Sequence, residues 1–291
     1  MRARTLLKSA LAGLAALFAA GAVQAQPPVW VVKDKDSELV LFGSVHILPP
    51  GLDWEPPALA RALASADDVW FELPVDPATE AETSRLATAL GVLAPDQSLF
   101  KLLPPTDSQR MMRVAAMYDV SPAVLDRLQP WLAEIALAGG AYRRAGADAA
   151  SGVEKTLAAT ARPAAERRAF ETPAEQIGIL SRAPRAEQIA SLRQTMEEME
   201  TKPEQYGVLV KAWLDGDMAG LDREAIAEMR KAAPTLFKTL VTERNARWTK
   251  VLDERLKGRG HTVVVVGVGH LIGPDSVPAR LRALGYSVTG P

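Results

Sequence analysis

The chain has 291 residues, 48% of them hydrophobic and 24% charged, a formal net charge of −1 and no cysteine. That length and apolar content suffice for a sizeable core, in one domain or two closely joined lobes. The lack of cysteine excludes disulfides, thiolate metal ligands and a cysteine nucleophile, so any metal must be held by histidine and carboxylate oxygen.

The first 25 residues read as a secretory signal. Arg2, Arg4 and Lys8 precede an apolar run from Ala10 to Ala20, and Val23-Gln24-Ala25 offers a small-x-small cleavage site. The run is short of the roughly 20 residues that a membrane span needs. The mature chain, residues 26–291, is therefore expected to be periplasmic or secreted, with no membrane insertion after cleavage. Its 31 basic and 35 acidic residues leave a balance of −4. That gives no electrostatic reason to expect nucleic acid or an anionic membrane as partner.

Residues 26–75 read as a first α/β lobe. Gln26-Pro-Pro leads into a short strand ending at Lys33, Asp34 to Ser37 is a polar turn, and Glu38 to Phe42 is the returning strand of a hairpin. A proline-punctuated loop follows His46. Ala58 to Ser65 is a helix and Asp68 to Leu73 a strand, which suggests a strand–helix–strand unit with a right-handed crossover.

From 76 to 257 helical periodicity takes over, as in Leu86, Leu90, Leu93 and then Met111, Val114, Ala115. Prolines and Gly139-Gly140 cut this region into many helices. Ser121-Pro122 and Thr172-Pro173-Ala-Glu175 have the form of N-caps, the second a capping box. Leu180 to Glu200 reads as a polar-faced helix, and 235–257 as one long amphipathic helix. Two pieces interrupt the pattern: Ala149 to Lys155, which begins in small residues and ends in Glu154 at a helix start, and the short extended run Arg167 to Glu171. Residues 258–291 then form a strand (Thr262–Val266), a helix (Ser276–Leu284) and a short strand (Tyr286–Val288). The fold class is α/β, in detail α+β. A mixed central sheet is built from N- and C-terminal segments around a large helical middle, in two pseudo-repeated halves that each end a strand in Gly-x-x-His.

Those tetrads, Gly43-Ser-Val-His46 and Gly267-Val-Gly-His270, hold two of the three histidines. Each follows an apolar, β-branched strand, and a glycine there lets the backbone turn and leaves room beside an imidazole. Glu72 ends a buried strand, where open α/β sheets place ligands. Glu154 and Glu171 also follow short apolar runs. Two imidazoles with one or more carboxylates make a site for Mn, Co, Zn or Fe with an open water position. The competing reading is structural: histidines satisfied by backbone carbonyls and an acid paired with a nearby base. Arg244 and Asn245 offer an oxyanion contact or plain helix-surface polarity. Ser44 lies two residues from His46 on an extended segment and lacks a nucleophile elbow. His261 sits in a polar turn and is read as solvated.

The segments Leu41 to Pro49, Val69 to Leu73, Gly152 to Leu157, Phe170 to Gln176, Glu243 to Trp248 and Val265 to Leu271 resemble, in order, the TraB/GumN family. That family is similar to the Tiki proteins, described as divalent-metal-dependent proteases, and more distantly to the erythromycin esterase and ChaN haem-binding group. The resemblance covers nearly the whole mature chain. It implies a metal and catalytic centre at His46, His270 and Glu72, with Glu154, Glu171, Arg244 and Asn245 in support. It also implies two α/β halves sharing one sheet.

The resulting expectation is a metal-dependent hydrolase of the peptidase kind, with Glu72 as ligand or general base, acting on a peptide or small-molecule substrate. Two rivals come from other classes. One is a binding protein that captures haem, iron or a small ligand without turnover. The other is an interaction protein whose helices dock a partner.

Overall fold

The computed structural model of the protein describes residues 26–291, so the expected signal segment lies outside the described residues. Strand β1 (Val29–Lys33) alternates buried Trp30 and Val32 with more open positions, and β2 (Ser37–Ser44) is buried almost throughout. The two form the expected hairpin, with Val29 opposite Phe42 and Lys33 opposite Glu38. Helix α1 (Pro57–Ser65) turns Leu59 and Leu63, one turn apart, into the core. Strand β3 (Asp68–Phe71) is buried at every position.

The helical middle consists of α2 (Pro77–Gly91), α3 (Leu99–Leu102), α4 (Pro105–Met117), α5 (Pro122–Leu125), α6 (Pro130–Arg144) and α7 (Val153–Thr160). Then come strand β4 (Glu166–Ala169), α8 (Pro173–Ser181), α9 (Arg185–Thr201), α10 (Gln205–Leu214) and α11 (Met218–Leu221). Pro57, Pro77, Pro105, Pro122, Pro130 and Pro173 each open a helix, where a missing N–H costs nothing. The Thr172–Glu175 capping box forms, whereas Ser121 makes no side-chain cap bond. The helix expected from Leu180 is broken, because Ala183 precedes Pro184 and the residue before a proline is pushed out of the α region.

A π turn (Asp222–Ile226) leads into α12 (Ala227–Ala232). Helix α13 (Pro234–Phe237) continues through a second π turn (Lys238–Thr242) into α14 (Glu243–Leu256) without leaving helical backbone. The long helix expected over 235–257 thus exists, with one widened turn. Strand β5 (Gly260–Gly267), a 3₁₀ turn (Val268–His270), α15 (Val277–Ala283) and β6 (Ser287–Thr289) complete the chain.

The six strands lie in the order β4-β3-β5-β2-β1-β6. Strands β4, β3, β5 and β2 run parallel, and β1 is antiparallel to both β2 and β6. Strand β5 therefore inserts between β2 and β3, which the local strand–helix–strand reading did not foresee. The sheet also takes β4 from the helical middle. Val263 to Val266 are each at most 1% exposed, as expected for a parallel strand covered on both faces. One apolar core surrounds the sheet, and a second, built on Leu99, Met111, Val114, Leu137, Leu192 and Met196, fills the helical lobe. Among the described residues no helix is long and apolar enough to cross a membrane.

Candidate active site at the strand ends

Four parallel strands end on one side of the sheet, and each places a polar side chain at, or within three residues of, its last residue. Strand β2 gives Ser44 and His46, β3 gives Glu72, β4 gives Glu171, and β5 gives Gly267 and, one turn on, His270. Helix α7 adds Glu154 from its first turn, and α14 adds Arg244, Asn245 and Trp248. A crevice beyond strand C-termini is where an open α/β sheet offers backbone room and convergent side chains.

The His46 segment is strapped to the start of α7. Val153 N–H donates to the Val45 carbonyl, and Leu48 and Asp148 exchange backbone bonds. Gly152 lies so close that a Cβ there would stand 2.1 Å from the His46 carbonyl oxygen. The strap sets His46 Nδ1 at 2.6 Å from Glu154 Oε1, which also accepts from Ser44 Oγ at 2.5 Å. Tyr206 of α10 donates to the Ile47 carbonyl and steadies the same loop. The Glu154 carboxylate in contact raises the His46 pKa from 6.5 to about 9. The His46 side chain is 62% exposed, so the ring also faces the cleft.

His270 is set differently. Asn245 Nδ2 donates to the carbonyls of His270 and Asp275, which leaves Asn245 Oδ1 to accept from His270 Nδ1 at 2.7 Å. The ring proton is thereby assigned to Nδ1, and Nε2 accepts from Arg244 Nη1 at 3.1 Å, since a guanidinium can only donate. Burial, with Arg244 nearby, pushes the His270 pKa down to about 3, so the ring is neutral. Trp248 packs under it, with ring centroids 4.5 Å apart.

Glu72 joins the two imidazoles. Its Oε1 accepts from Gly267 N–H at 2.8 Å, and its Oε2 from Arg244 Nη2 at 2.6 Å and Gln176 Nε2 at 3.2 Å. Burial pushes its pKa up, but the imidazoles and Arg244 outweigh that and hold it at about 2. Because His270 is neutral, Arg244 and His46 supply the positive charge that counts near neutral pH. Gly267 leaves open the space between these side chains. A Cβ there would meet Glu72 Oε1 at 3.2 Å, His46 Nε2 at 3.6 Å and His270 Cδ2 at 3.7 Å. The three side chains singled out from the sequence thus converge over one glycine.

They do not form a closed three-donor metal set. Among the described residues no group of three or more His, Asp or Glu stands arranged to hold a metal, and Arg244 is bonded to two of the three side chains. Its Nε donates to Glu171, its Nη1 to the Leu240 carbonyl and His270 Nε2, and its Nη2 to Glu72, with Glu171 in ion-pair contact with Nη2. The residue is 4% exposed, and its guanidinium lies 4.6 Å from the centroid of the Trp248 ring. Held inward by these partners, it does not line the cleft, and Asn245, fully buried, orients His270. Neither is helix-surface polarity. Glu171, 6% exposed, anchors Arg244 rather than facing solvent. In the chemistry of its donors the set still fits a borderline divalent cation. Both rings bind through Nδ1 to a fixed acceptor and turn Nε2 inward, the second-shell pattern of metal-ligating histidines.

A cleft of about 500 Å³ opens over His46, Glu72 and Glu154, walled by Leu73-Pro-Val75 and one face of α2. Lys155 and Gln176 line it too. Sequence reasoning passed over both, although each stands within a quoted motif. Lys155 bridges Glu80 at 2.8 Å across the cleft wall. His261 is exposed and away from this cluster, as expected, but it stands in β5 beside Glu38 rather than in a turn.

The model of the TraB/PrgY/gumN family matches residues 28–290, nearly the whole chain. No curated protein matches it.

Proposed function

The chain belongs to the TraB/PrgY/gumN family, and from that membership and the strand-end site we propose that it is an exported, metal-dependent hydrolase of the peptidase kind. The observation that carries this reading is the convergence of His46, Glu72 and His270 over Gly267. His46 Nε2, His270 Nε2 and Glu72 Oε1 would hold a divalent cation such as Mn, Co or Zn. When bound, it would supply Lewis-acid polarisation of a carbonyl and a water of lowered pKa.

The chain's own residues do the positioning. Glu154 and Asn245 fix the ring tautomers. Glu72, ionised far below neutral pH, suits a charge-holding ligand better than a general base, whose pKa should lie near the working pH. The partly apolar cleft admits a peptide or small molecule beside His46, and Lys155 is the cation there to meet a substrate carbonyl or carboxylate.

One observation favours the rival binding role for haem, iron or a small ligand. Arg244 points its bonds at Glu72, Glu171, His270 and the Leu240 carbonyl and does not line the cleft, so no cation is set there to stabilise an oxyanion beyond Lys155.

The test is the metal content of residues 26–291 against a His46→Ala/His270→Ala double variant and Gly267→Ala. One equivalent of Mn²⁺, Co²⁺ or Zn²⁺, lost in the double variant and weakened in Gly267→Ala, supports the metal reading, and cleavage of a peptide library by the loaded protein supports the hydrolase. Metal without turnover turns the reading to binding. No metal in any form sinks it.

A further inference from the structure

We infer that Arg244 is a resident cation that masks the metal position: a divalent ion gains His270 Nε2 only by displacing the guanidinium. This rests on the metal reading above and deepens it.

The geometry leaves one lone pair on His270 Nε2, because Nδ1 carries the proton held by Asn245. Arg244 Nη1 already takes that lone pair at 3.1 Å. A metal–imidazole bond is about 2.0–2.1 Å long, so both cations cannot use it at once. Nor can Arg244 yield by losing its proton, since a guanidinium stays charged at any working pH. Glu72 adds to the conflict, with its Oε2 taken by Arg244 at 2.6 Å.

Displacement would leave the Glu171 anchor in place. Arg244 Nε is tied to Glu171 at 2.9 and 3.0 Å, and Nη2 is in contact with the same carboxylate. Trp248 Nε1 and the half-exposed Arg247 hold that carboxylate too. The bonds to be given up for metal are those of Nη1 to His270 and of Nη2 to Glu72. The Nη1 bond to Leu240 goes to a carbonyl inside the widened π turn, a helical feature that recurs at functional sites.

Two consequences follow. Without metal, the Glu72 and Glu171 carboxylates are already paired with Arg244. And the affinity for metal is set as much by what Arg244 gives up as by what the histidines offer.

The experiment is calorimetric titration of residues 26–291 with Mn²⁺, for wild type, Arg244→Lys and Arg244→Gln, each with and without His46→Ala. Folding of every variant is first checked by its melt in EDTA. Lysine keeps the charge on Glu171 but lacks the fork that spans to His270 and Glu72, while glutamine removes the charge. At least one of the two is expected to fold and to bind Mn²⁺ ten-fold or more tighter than wild type, with binding abolished by His46→Ala. The melting temperature should rise with Mn²⁺ more steeply in that variant. Equal or weaker binding in the folded variants, with His46→Ala still abolishing it, overturns the masking role and leaves the metal reading standing. No Mn²⁺ bound by any form overturns both.

Discussion

The strand ends and the helical lobe solve opposite problems. Around the sheet, Ser44, Glu72, Glu171, Arg244, Asn245 and His270 are all buried, and every one has partners. The lobe built from α3, α4, α6 and α9 buries an almost wholly apolar set, with Asp107 and Gln188 as its polar exceptions. Among the described residues, the buried side-chain atoms without a partner are Trp131 Nε1 on α6 and Gln188 Oε1 on α9. The crowded polar region is thus the better satisfied one. Low dielectric makes each unmet group there costly, so a dense network persists only if complete. A region that bends the hydrophobic rule so thoroughly is where function is expected.

Substitutions can test whether the two regions differ as described. The largest effect should come from Arg244→Ala, which strands Glu72 and Glu171 in the interior and should cost about 3–5 kcal/mol in denaturant unfolding. A loss below about 1 kcal/mol would mean that the carboxylates rehydrate and that the network is not closed. In the lobe, Leu137→Ala should cost about 2–5 kcal/mol through its cavity. The His46 and His270 ring resonances should not move, and if they do, lobe and site are coupled.

Gly152→Ala should cost about 1–3 kcal/mol by overpacking against the His46 carbonyl. It should also erase the downfield Nδ1–H signal of the short His46–Glu154 bond. An unchanged signal would show that the strap does not set that bond.

The pH dependence is smaller, and near neutral pH it falls on the site's histidines. The folded pKa of His46 is raised from 6.5 to about 9, so its stabilisation is full below 6.5 and fades as pH rises through 9. Glu72 is lowered from 4.5 to about 2, so its share is present above 4.5 and fades as pH falls towards 2. His270, lowered to about 3, takes a proton more readily unfolded, and its share is lost from 6.5 downwards. Melting temperatures of wild type should therefore decline between pH 6.5 and 9, and His46→Gln should flatten that decline. A parallel decline in both would assign it elsewhere. Smallest of all, Arg85→Ala breaks an exposed pair with Glu82 and should leave the denaturant midpoint unmoved.

Much of this could be read from the chain alone, for reasons that differ by element. The hairpin, the Val263–Val266 strand and the proline-opened helices carry their signals locally, in alternation, β-branching and caps. The tetrads and Glu72 were visible because polar residues directly after buried strands are conspicuous. Ser44 was half legible: its spacing placed it on the same side as His46, and both do reach one oxygen, Glu154 Oε1. Arg244 and Asn245 were not legible as buried groups. An arginine on an amphipathic helix defaults to the surface, and what buries this one comes from β3, β4 and β5, remote in sequence. For the same reason nothing local announced that β5 would insert between β2 and β3.

That insertion bears on when the site comes into being. Residues 37–44 lie beside residues 260–267, so the sheet closes only when nearly the whole chain exists. Chain-closure entropy grows slowly, about 0.6 kcal/mol for each doubling of loop length, so the long detour costs little equilibrium stability. It weighs instead on the folding rate, which falls as contacts become more distant in sequence. The helices that pack against one another in the lobe lie closer together along the chain and can assemble earlier. His46, emerging first, waits for His270 until β5 has been made. A truncated or half-made chain therefore has a lobe but no centre, and whatever chemistry the strand ends perform begins only in the finished protein.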